Sequence, residues 1–110
     1  MKAVIRTVTL LGIMFTSQAS QAQGPGWTAF SDVKELVVTA NGGVNVRLEP
    51  SLTGCTSQSG YGPTFASIYP NHPGIDRILS NLLAAYMSGK QVRLYLGDST
   101  CTVGEMRMQQ

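Results

Sequence analysis

The chain has 110 residues, of which eight are basic, six are acidic and 13% in all are charged. Two of the basic residues, Lys2 and Arg6, lie within the first 22 positions, so the remaining 88 residues carry six charges of each sign. A neutral domain lacks the basic surface that nucleic-acid-binding proteins use to contact phosphates. The charge balance therefore argues against nucleic acid and against an anionic membrane surface as partners.

Residues 1–22 have the features of a secretory signal peptide. Lys2 and Arg6 precede an apolar run at residues 8–15, and small side chains at residues 20–22 close the segment. This pattern predicts cleavage after Ala22 and a secreted or periplasmic protein. The apolar run is too short for a membrane-spanning helix, which needs about 20 residues. We expect residues 23–110 to form a single domain without membrane insertion.

Cys55 and Cys101 are the only two cysteines of the chain. Exported proteins retain disulfides, so a Cys55–Cys101 bond is the first prediction. In the chain-entropy model a loop of this length stabilises the fold by about 4 kcal/mol. A metal site or a redox centre is the alternative, but the chain has a single distant histidine and no CxxC spacing. We therefore predict a structural disulfide, no metal and no cofactor.

A β-hairpin is predicted around Asn41, Gly42 and Gly43. Residues 33–40 are rich in β-branched side chains, and Asn-Gly favours the tight turn of a hairpin because both residues tolerate positive φ. Residues 44–49 then alternate in polarity, as a half-buried strand does. The inward set is Val44, Val46 and Leu48, and the outward set is Asn45, Arg47 and Glu49.

A polar loop at residues 51–63 precedes a third predicted strand, residues 64–69, whose buried face the pattern leaves open. The period changes between Pro73 and Gly89, where an apolar stripe predicts an α-helix packed on a core. The stripe consists of Ile75, Ile78, Leu79, Leu82, Leu83, Tyr86 and Met87. Asn71 or His72 can cap its start, Pro73 suits the first turn, and Gly89 suits the left-handed end.

Two further strands are predicted at residues 91–96 and 101–108, with a turn at residues 97–99 and a bulge at Gly104. Val92, Leu94 and Leu96 form the inward face of the first of these strands. Five strands with one helix between the third and the fourth is the order of the OB-fold, a small partly open barrel. We predict an α+β, mainly β, OB-fold-like domain. Other small α+β sheets with one helix share this order and remain the alternative.

Several of these segments resemble the binding subunit of subtilase cytotoxin, a pentameric, sugar-binding bacterial toxin component. The likeness rests on Cys55, the strand ending "SIY" at residues 67–69, the helix, and "SGKQVRLYL" at residues 88–96. The pairs Trp27-Thr28 and Phe30-Ser31 also precede the first strand, as in that family. The chain is shorter than the toxin subunit and its hairpin is tighter. A wider group of small exported proteins of unassigned function shares the helix-strand unit.

The resemblance implies a glycan ligand, assembly as a homopentamer and a secreted enzymatic subunit as partner. Ser31 matches a serine that hydrogen-bonds a terminal sialic acid in that family, and Phe30 flanks the same pocket. These residues are therefore the first two expected ligand contacts.

The residues themselves do not indicate an enzyme. A catalytic site needs a nucleophile with a base, a pair of carboxylates or a metal. His72 is the only histidine, and its place in "NHPG" suits capping or solvent exposure. Ser57, Ser59 and Ser67 have no nucleophile-elbow sequence around them, and the carboxylates are scattered. We predict that the protein is not an enzyme.

Sugar binding has better candidates, because aromatic faces stack on sugar rings and short polar side chains bond their hydroxyls. The predicted ligand-binding residues are Trp27, Phe30, Ser31, Ser59 and Tyr61. The alternative is that the aromatic residues fill the core and the serines only solvate a loop. A competing function is a periplasmic structural or protein-interaction domain without a sugar site. The small, uncharged outer side of the helix also favours a homo-oligomer.

Overall fold

Six strands and one α-helix make up residues 24–109, the part of the chain that the computed structural model describes. The elements are β1 (Gly26–Trp27), β2 (Asp32–Val38), β3 (Val44–Glu49), β4 (Phe65–Ile68), α1 (Ile75–Ser88), β5 (Gln91–Leu96) and β6 (Val103–Gln109). The α+β, mainly β, class is confirmed. The count of five strands is wrong, because the two residues of β1 pair with Leu96 and Tyr95 of β5. The predicted signal peptide lies outside the described residues.

The strands form two antiparallel three-stranded sheets, in the orders β1-β5-β6 and β2-β3-β4. Two isolated bridges connect them: Ser31 lies antiparallel to Val92, and Ser67 lies parallel to Thr102. Single bridges do not make continuous ladders between the sheets. The strands therefore do not form a closed barrel.

The core lies between the two sheets and α1, and the alternation of β3 and β5 predicted its members. Their inward side chains are all buried: Val44, Val46 and Leu48 from β3, and Val92, Leu94 and Leu96 from β5. Side chains of a strand alternate between its faces, so one face of each strand is apolar throughout. From α1, Ile78, Leu82 and Ala85 close the core.

The outer face of the second sheet departs from the prediction. Asn45 was expected to point into solvent, yet it is fully buried. Every residue of β4 is buried as well, including Ser67 on the same outer side as Asn45. The reason is that the loop after Cys55 folds back over this face. Ser57 and Gln58 of the polar loop are therefore buried against the sheet, while its other residues after Cys55 stay exposed or half-buried.

Helix α1 ends as predicted, with Gly89 in the left-handed region at φ 74° and its N–H bonded to the Ala85 carbonyl. Its start differs from the prediction, because the first helical residue is Ile75 and Pro73 precedes the helix. The His72 ring supports the entry, since Nδ1 accepts a hydrogen bond from the Gly74 N–H at 2.9 Å. The N-cap residue is Gly74 and has no side-chain cap, so neither Asn71 nor His72 caps the helix as predicted, and His72 instead supports the turn before it.

The apolar stripe of α1 is only partly covered. Ile78 and Leu82 are buried, and Ile75 and Leu79 pack partly against the core. The remaining members, Leu83, Tyr86 and Met87, are 46%, 51% and 77% exposed. The prediction that the whole stripe serves one core is therefore wrong. A stripe this wide exceeds the arc of a helix that two small sheets can contact.

The Cys55–Cys101 disulfide is formed, which confirms the prediction. Cys101 is fully buried and Cys55 is 7% exposed, so both sulfurs belong to the core. Beside the bond, the Thr56 N–H donates to the Thr100 carbonyl at 3.2 Å. The Ser67 N–H donates to the Cys101 carbonyl at 2.9 Å. The disulfide therefore joins the loop at residues 56–63, which we name the covering loop, to the segment that leads into β6.

The connection between β5 and β6 is organised by Asp98. Its Oδ1 accepts hydrogen bonds from the Thr100 N–H, the Thr100 hydroxyl and the Thr102 N–H at 2.9–3.1 Å. Partial burial raises the pKa of Asp98, but the hydrogen bonds from Thr102 and Thr100 outweigh it and hold the pKa below its ordinary value. Past the turn, the register slips opposite Gly104, which confirms the predicted bulge.

We expect Asp98→Asn to lower stability at neutral pH by about 1 kcal/mol, because a neutral amide accepts these bonds more weakly than a carboxylate. A carboxyl whose pKa is depressed on folding adds stability above its unfolded-state pKa. That contribution is lost as pH falls through the folded pKa. The difference between wild type and variant should therefore begin to shrink as pH falls below about 4, the ordinary Asp pKa, and disappear once the folded carboxyl is protonated, as urea titrations at a series of pH values would show. A difference that stays constant with pH would contradict this role.

Candidate functional site

The five predicted ligand residues fall in two separate places. Trp27, Phe30 and Ser31 lie on β1 and the segment leading into β2, beside β5. Ser59 and Tyr61 belong to the loop that covers β3 and β4. The structure thus offers two candidate surfaces, which differ in composition and in exposure.

The first surface is organised around Arg93. Its guanidinium carbon lies 4.9 Å from the centroid of the Phe30 ring and 5.4 Å from that of Trp27. Trp27 also meets Tyr95 edge-to-face at 5.4 Å, and Arg107 lies 5.7 Å from the Trp27 ring. We name the group of Trp27, Phe30, Arg93, Tyr95 and Arg107 the Arg93 cluster. Distances below about 6 Å from a cation to a ring centroid are in the range of cation–π attraction.

The cluster follows from strand alternation and register. Arg93 and Tyr95 occupy the outward positions of β5, between inward residues. Trp27 pairs with Tyr95, and Arg107 pairs with Arg93, so all four side chains share the outer face of the sheet. Two arginines directly opposite one another repel. Trp27 offsets this repulsion, and Arg93 Nε also donates to the Thr28 carbonyl at 3.2 Å.

The Arg93 cluster remains accessible to a ligand. Trp27, Phe30 and Arg93 are half-buried, and Tyr95 is exposed. The one acid on this part of the face is Glu105, which pairs with Tyr95. The cluster thus combines apolar ring surface with guanidinium and phenol donors. Such a surface can stack on a flat apolar group and donate hydrogen bonds to oxygen acceptors around it.

Ser31 lies beside this cluster but turns inward. It is 1% exposed, and its hydroxyl donates to the Ala29 carbonyl at 2.9 Å. Its backbone N–H and carbonyl both bond to Val92. Ser31 therefore fixes the chain next to Phe30, while its hydroxyl is directed at the backbone rather than at the surface.

The second surface is the covering loop. Tyr61 is 47% exposed and meets Phe65 edge-to-face at 5.7 Å, while Ser59 has a φ of 57° and faces solvent. Near them is an open pocket of ≈ 230 Å³. It is lined by Cys55, Thr56, Ser57, Gly60, Gly62 and Pro63. Pockets for drug-sized ligands measure roughly 300–1,000 Å³, so this pocket is small for such a ligand.

No local sequence pattern pointed to Gln58, which makes the main contacts between this loop and the sheet. It is 5% exposed, and its Nε2 donates to the Ile68 carbonyl at 3.0 Å and to the Val44 carbonyl at 3.3 Å. Nε2 also lies 3.3 Å from Asn45 Oδ1, and Oε1 accepts from Asn41 Nδ2 at 3.1 Å. The carboxamide thus reaches backbone and side-chain partners on β3, β4 and the hairpin turn.

Further bonds complete this buried network. Asn45 Nδ2 donates to the Gln58 carbonyl at 3.0 Å, and the Gln58 N–H donates to Ser67 Oγ at 3.1 Å. Ser67 Oγ in turn donates to Asn45 Oδ1 at 2.8 Å. We name Asn41, Asn45, Gln58 and Ser67 the Gln58 network. A Cβ at Gly43 would overlap the Gln58 carboxamide, so the position needs glycine. The network attaches the loop firmly to the sheet.

His72 has both ring nitrogens engaged. Nδ1 accepts from the Gly74 N–H, so Nε2 carries the proton and donates to the Gly104 carbonyl at 2.8 Å. Within residues 24–109, no three His, Cys, Asp or Glu side chains are grouped to hold a metal ion. In the same range, no helix has the length and apolar character to cross a membrane.

Comparisons with protein families, with curated proteins and with solved structures gave no match for this chain. The resemblance to toxin binding subunits therefore stays a prediction. Of the two surfaces, the Arg93 cluster is the chemically richer, because it combines aromatic rings with two guanidinium groups.

Proposed function

We propose that the protein is a secreted or periplasmic, non-catalytic binding module that recognises a glycan at the Arg93 cluster. The observation that carries this proposal is the grouping of three aromatic side chains and two arginines on one outer sheet face. Sugar rings offer apolar faces that stack on aromatic residues, while their hydroxyl oxygens accept hydrogen bonds from guanidinium groups. The cluster supplies both functions within one patch.

The cluster is also held in place before a ligand arrives. The Arg93 side chain is held by two rings and by its bond to the Thr28 carbonyl. A long flexible side chain that is already ordered loses less conformational entropy on binding. This arrangement favours recognition of a weakly binding ligand such as a sugar.

We propose in addition that the fold is an OB-like arrangement of strands. The bridges Ser31–Val92 and Ser67–Thr102 connect the sheets in the cyclic order β2-β3-β4-β6-β5 and back to β1 and β2. This order supports the proposal if β1 and β2 are regarded as two parts of one interrupted strand. OB-folds bind oligosaccharides or oligonucleotides on an exposed strand face. The neutral charge balance of residues 23–110 favours the oligosaccharide.

The proposed location is supported by the buried Cys55–Cys101 bond, which suits an oxidising compartment outside the cytosol. A homopentameric ring and a secreted enzymatic subunit are implied only by the toxin resemblance. They stay predictions that are separate from the glycan site.

We expect Trp27→Ala to reduce glycan binding at least about tenfold, since a stacking aromatic residue typically dominates such a site. The measurement is a glycan array followed by titration of the best ligand. Tyr61→Ala is the matched control, because Tyr61 is an exposed aromatic residue of the other candidate surface. It should leave binding unchanged. Loss of binding in Tyr61→Ala but not in Trp27→Ala would move the site to the covering loop.

A second function, a protein-interaction domain without a sugar site, is favoured by the exposed side of α1. Leu83, Tyr86 and Met87 lie at helical spacings of three and four, and together they form an apolar ridge. Exposed apolar surface of this kind commonly marks a protein contact. Absence of any glycan signal from well-folded wild-type protein would favour this second function.

A further inference from the structure

Strand β6 forms the outer edge of its sheet. The strand order β1-β5-β6 leaves one side of β6 without a neighbouring strand among residues 24–109. On that side the Gly104 carbonyl is bonded to His72, and Ser67 bridges only to Thr102, before the strand begins. Past Gly104, most side chains of β6 are exposed. The segment from Glu105 to Gln109 therefore has no strand paired on this side among residues 24–109, although α1 contacts part of β6.

Hydrogen bonding across β5 shows which backbone groups of β6 face this edge. The backbone N–H and carbonyl of Val92 bond to the backbone of Ser31, and the Leu94 carbonyl accepts from the Thr28 N–H. The backbone groups of Val92 and Leu94 therefore point away from β6. Those of Arg93 and Tyr95 consequently point toward β6. Their partners are Arg107 and Glu105, because backbone direction alternates along a strand. It follows that Met106 and Met108 direct their N–H and carbonyl groups to the open edge.

We propose that β6 pairs with β6 of a second copy of this chain, antiparallel and with the two-fold axis at Met106. In this register Met106 forms a hydrogen-bonded pair with the partner's Met106. Glu105 then lies opposite the partner's Arg107, and the same pair occurs again on the other side of the axis. Opposite charges directly across an antiparallel pair stabilise it. The sequence "EMR" is thus complementary to itself.

Neighbouring registers lack this match. An axis at Arg107 would place Arg107 opposite the partner's Arg107, and an axis at Glu105 would oppose two glutamates. Like charges at directly opposed positions are destabilising. An axis midway between two residues would set edge-facing backbone groups of one strand against groups that face β5 in the other. Among the axes at Glu105, Met106 and Arg107, the Met106 axis is the one that satisfies the backbone and sets opposite charges against each other.

The other exposed edge strand, β2, is less suited to pairing. It carries the exposed Lys34 at a register shift between Val33 and Glu35. Lysines and bulges are features by which proteins protect edge strands from adding a further strand. In β6 the bulge at Gly104 lies at one end, and the following residues pair regularly with β5. A two-fold pair through β6 also differs from the five-membered ring that the toxin resemblance implies.

Sedimentation and native mass measurements of the purified protein at micromolar concentrations test this inference. We expect a two-chain species whose dissociation constant rises about tenfold in Glu105→Arg, because two attractive pairs become repulsive. The double variant Glu105→Arg with Arg107→Glu restores both attractive pairs and should restore the dimer. Glu49→Arg is the matched control, since it reverses an exposed acid in the other sheet. It should leave the dimer unchanged.

The wild-type protein offers a further measurement without substitution. Exposed charge pairs are screened by salt, so dimerisation should weaken as ionic strength increases. A monomer at all accessible concentrations, a five-chain species, or a dimer that the double variant fails to restore would each overturn the proposal. So would a dimer indifferent to salt. Glycan binding is read separately on the array, so failure of the dimer and failure of the glycan proposal are distinguishable.

Discussion

Replacing both Cys55 and Cys101 with alanine is expected to lower the free energy of unfolding by about 4 kcal/mol. Cys55 and Cys101 are 46 positions apart, so the bond closes a long loop. Without it the unfolded chain has many more conformations, and its entropy rises. Marginal stabilities of 5–15 kcal/mol are typical of small domains, and a loss of about 4 kcal/mol is a large fraction of them. Urea unfolding of the variant and of the oxidised wild type measures the difference.

Alanine is the better replacement because Cys101 is fully buried, and a serine hydroxyl there would add its own burial cost. Thr56→Ala is a suitable control, because Thr56 is exposed beside the bond and its backbone contact with Thr100 is retained. It should change stability by less than about 0.5 kcal/mol. An alanine double variant that unfolds at the wild-type urea concentration would show that the disulfide adds nothing to stability.

Local periodicity predicted those parts of the fold that depend on neighbouring residues. The strands at residues 44–49 and 91–96 have the bounds expected from alternation, and α1 ends where Gly89 predicted. The β1 strand escaped prediction because two residues have no period. Its position depends on pairing with β5, which lies more than sixty positions further along the chain. No local pattern carries information of that kind.

In the candidate site, too, some residues could be predicted from local pattern, whereas others depend on pairing between distant strands. Trp27 and Phe30 could be selected from the sequence because aromatic residues near short polar ones suit a sugar. The contribution of Arg93 could not, since it arises from the register of β5 against β1 and β6. The alternation of β3 predicted that Asn45 faces solvent, and the pattern left the buried face of the next strand open. Gln58 is buried because it finds partners in Asn45 of β3 and Ser67 of β4, which are distant in sequence and which no local pattern connects to it.

Gln58→Ala is expected to destabilise the protein by about 2–3 kcal/mol, which is a large effect for one loop residue. The substitution leaves the buried Ile68 and Val44 carbonyls and the Asn45 side chain without the Gln58 carboxamide. Buried polar groups that lose their partners cost about 1–3 kcal/mol. Urea unfolding gives the magnitude, and hydrogen exchange of the loop amides should show faster local opening. Gln91→Ala, at an exposed glutamine of β5, is the matched control with little expected effect.

Gly43→Ala should produce a loss of similar size by a different route, since the added Cβ occupies the place of the Gln58 carboxamide. If both substitutions act by breaking the same network, the double variant should be far less destabilised than the sum of the two single variants. Residues that share one interaction show such coupling, whereas independent sites add within about 0.5 kcal/mol. Additive effects would mean that Gly43 serves the hairpin alone. Strong coupling would instead show that the covering loop is stabilised mainly by the contact between the Gln58 side chain and the hairpin turn at residues 41–43.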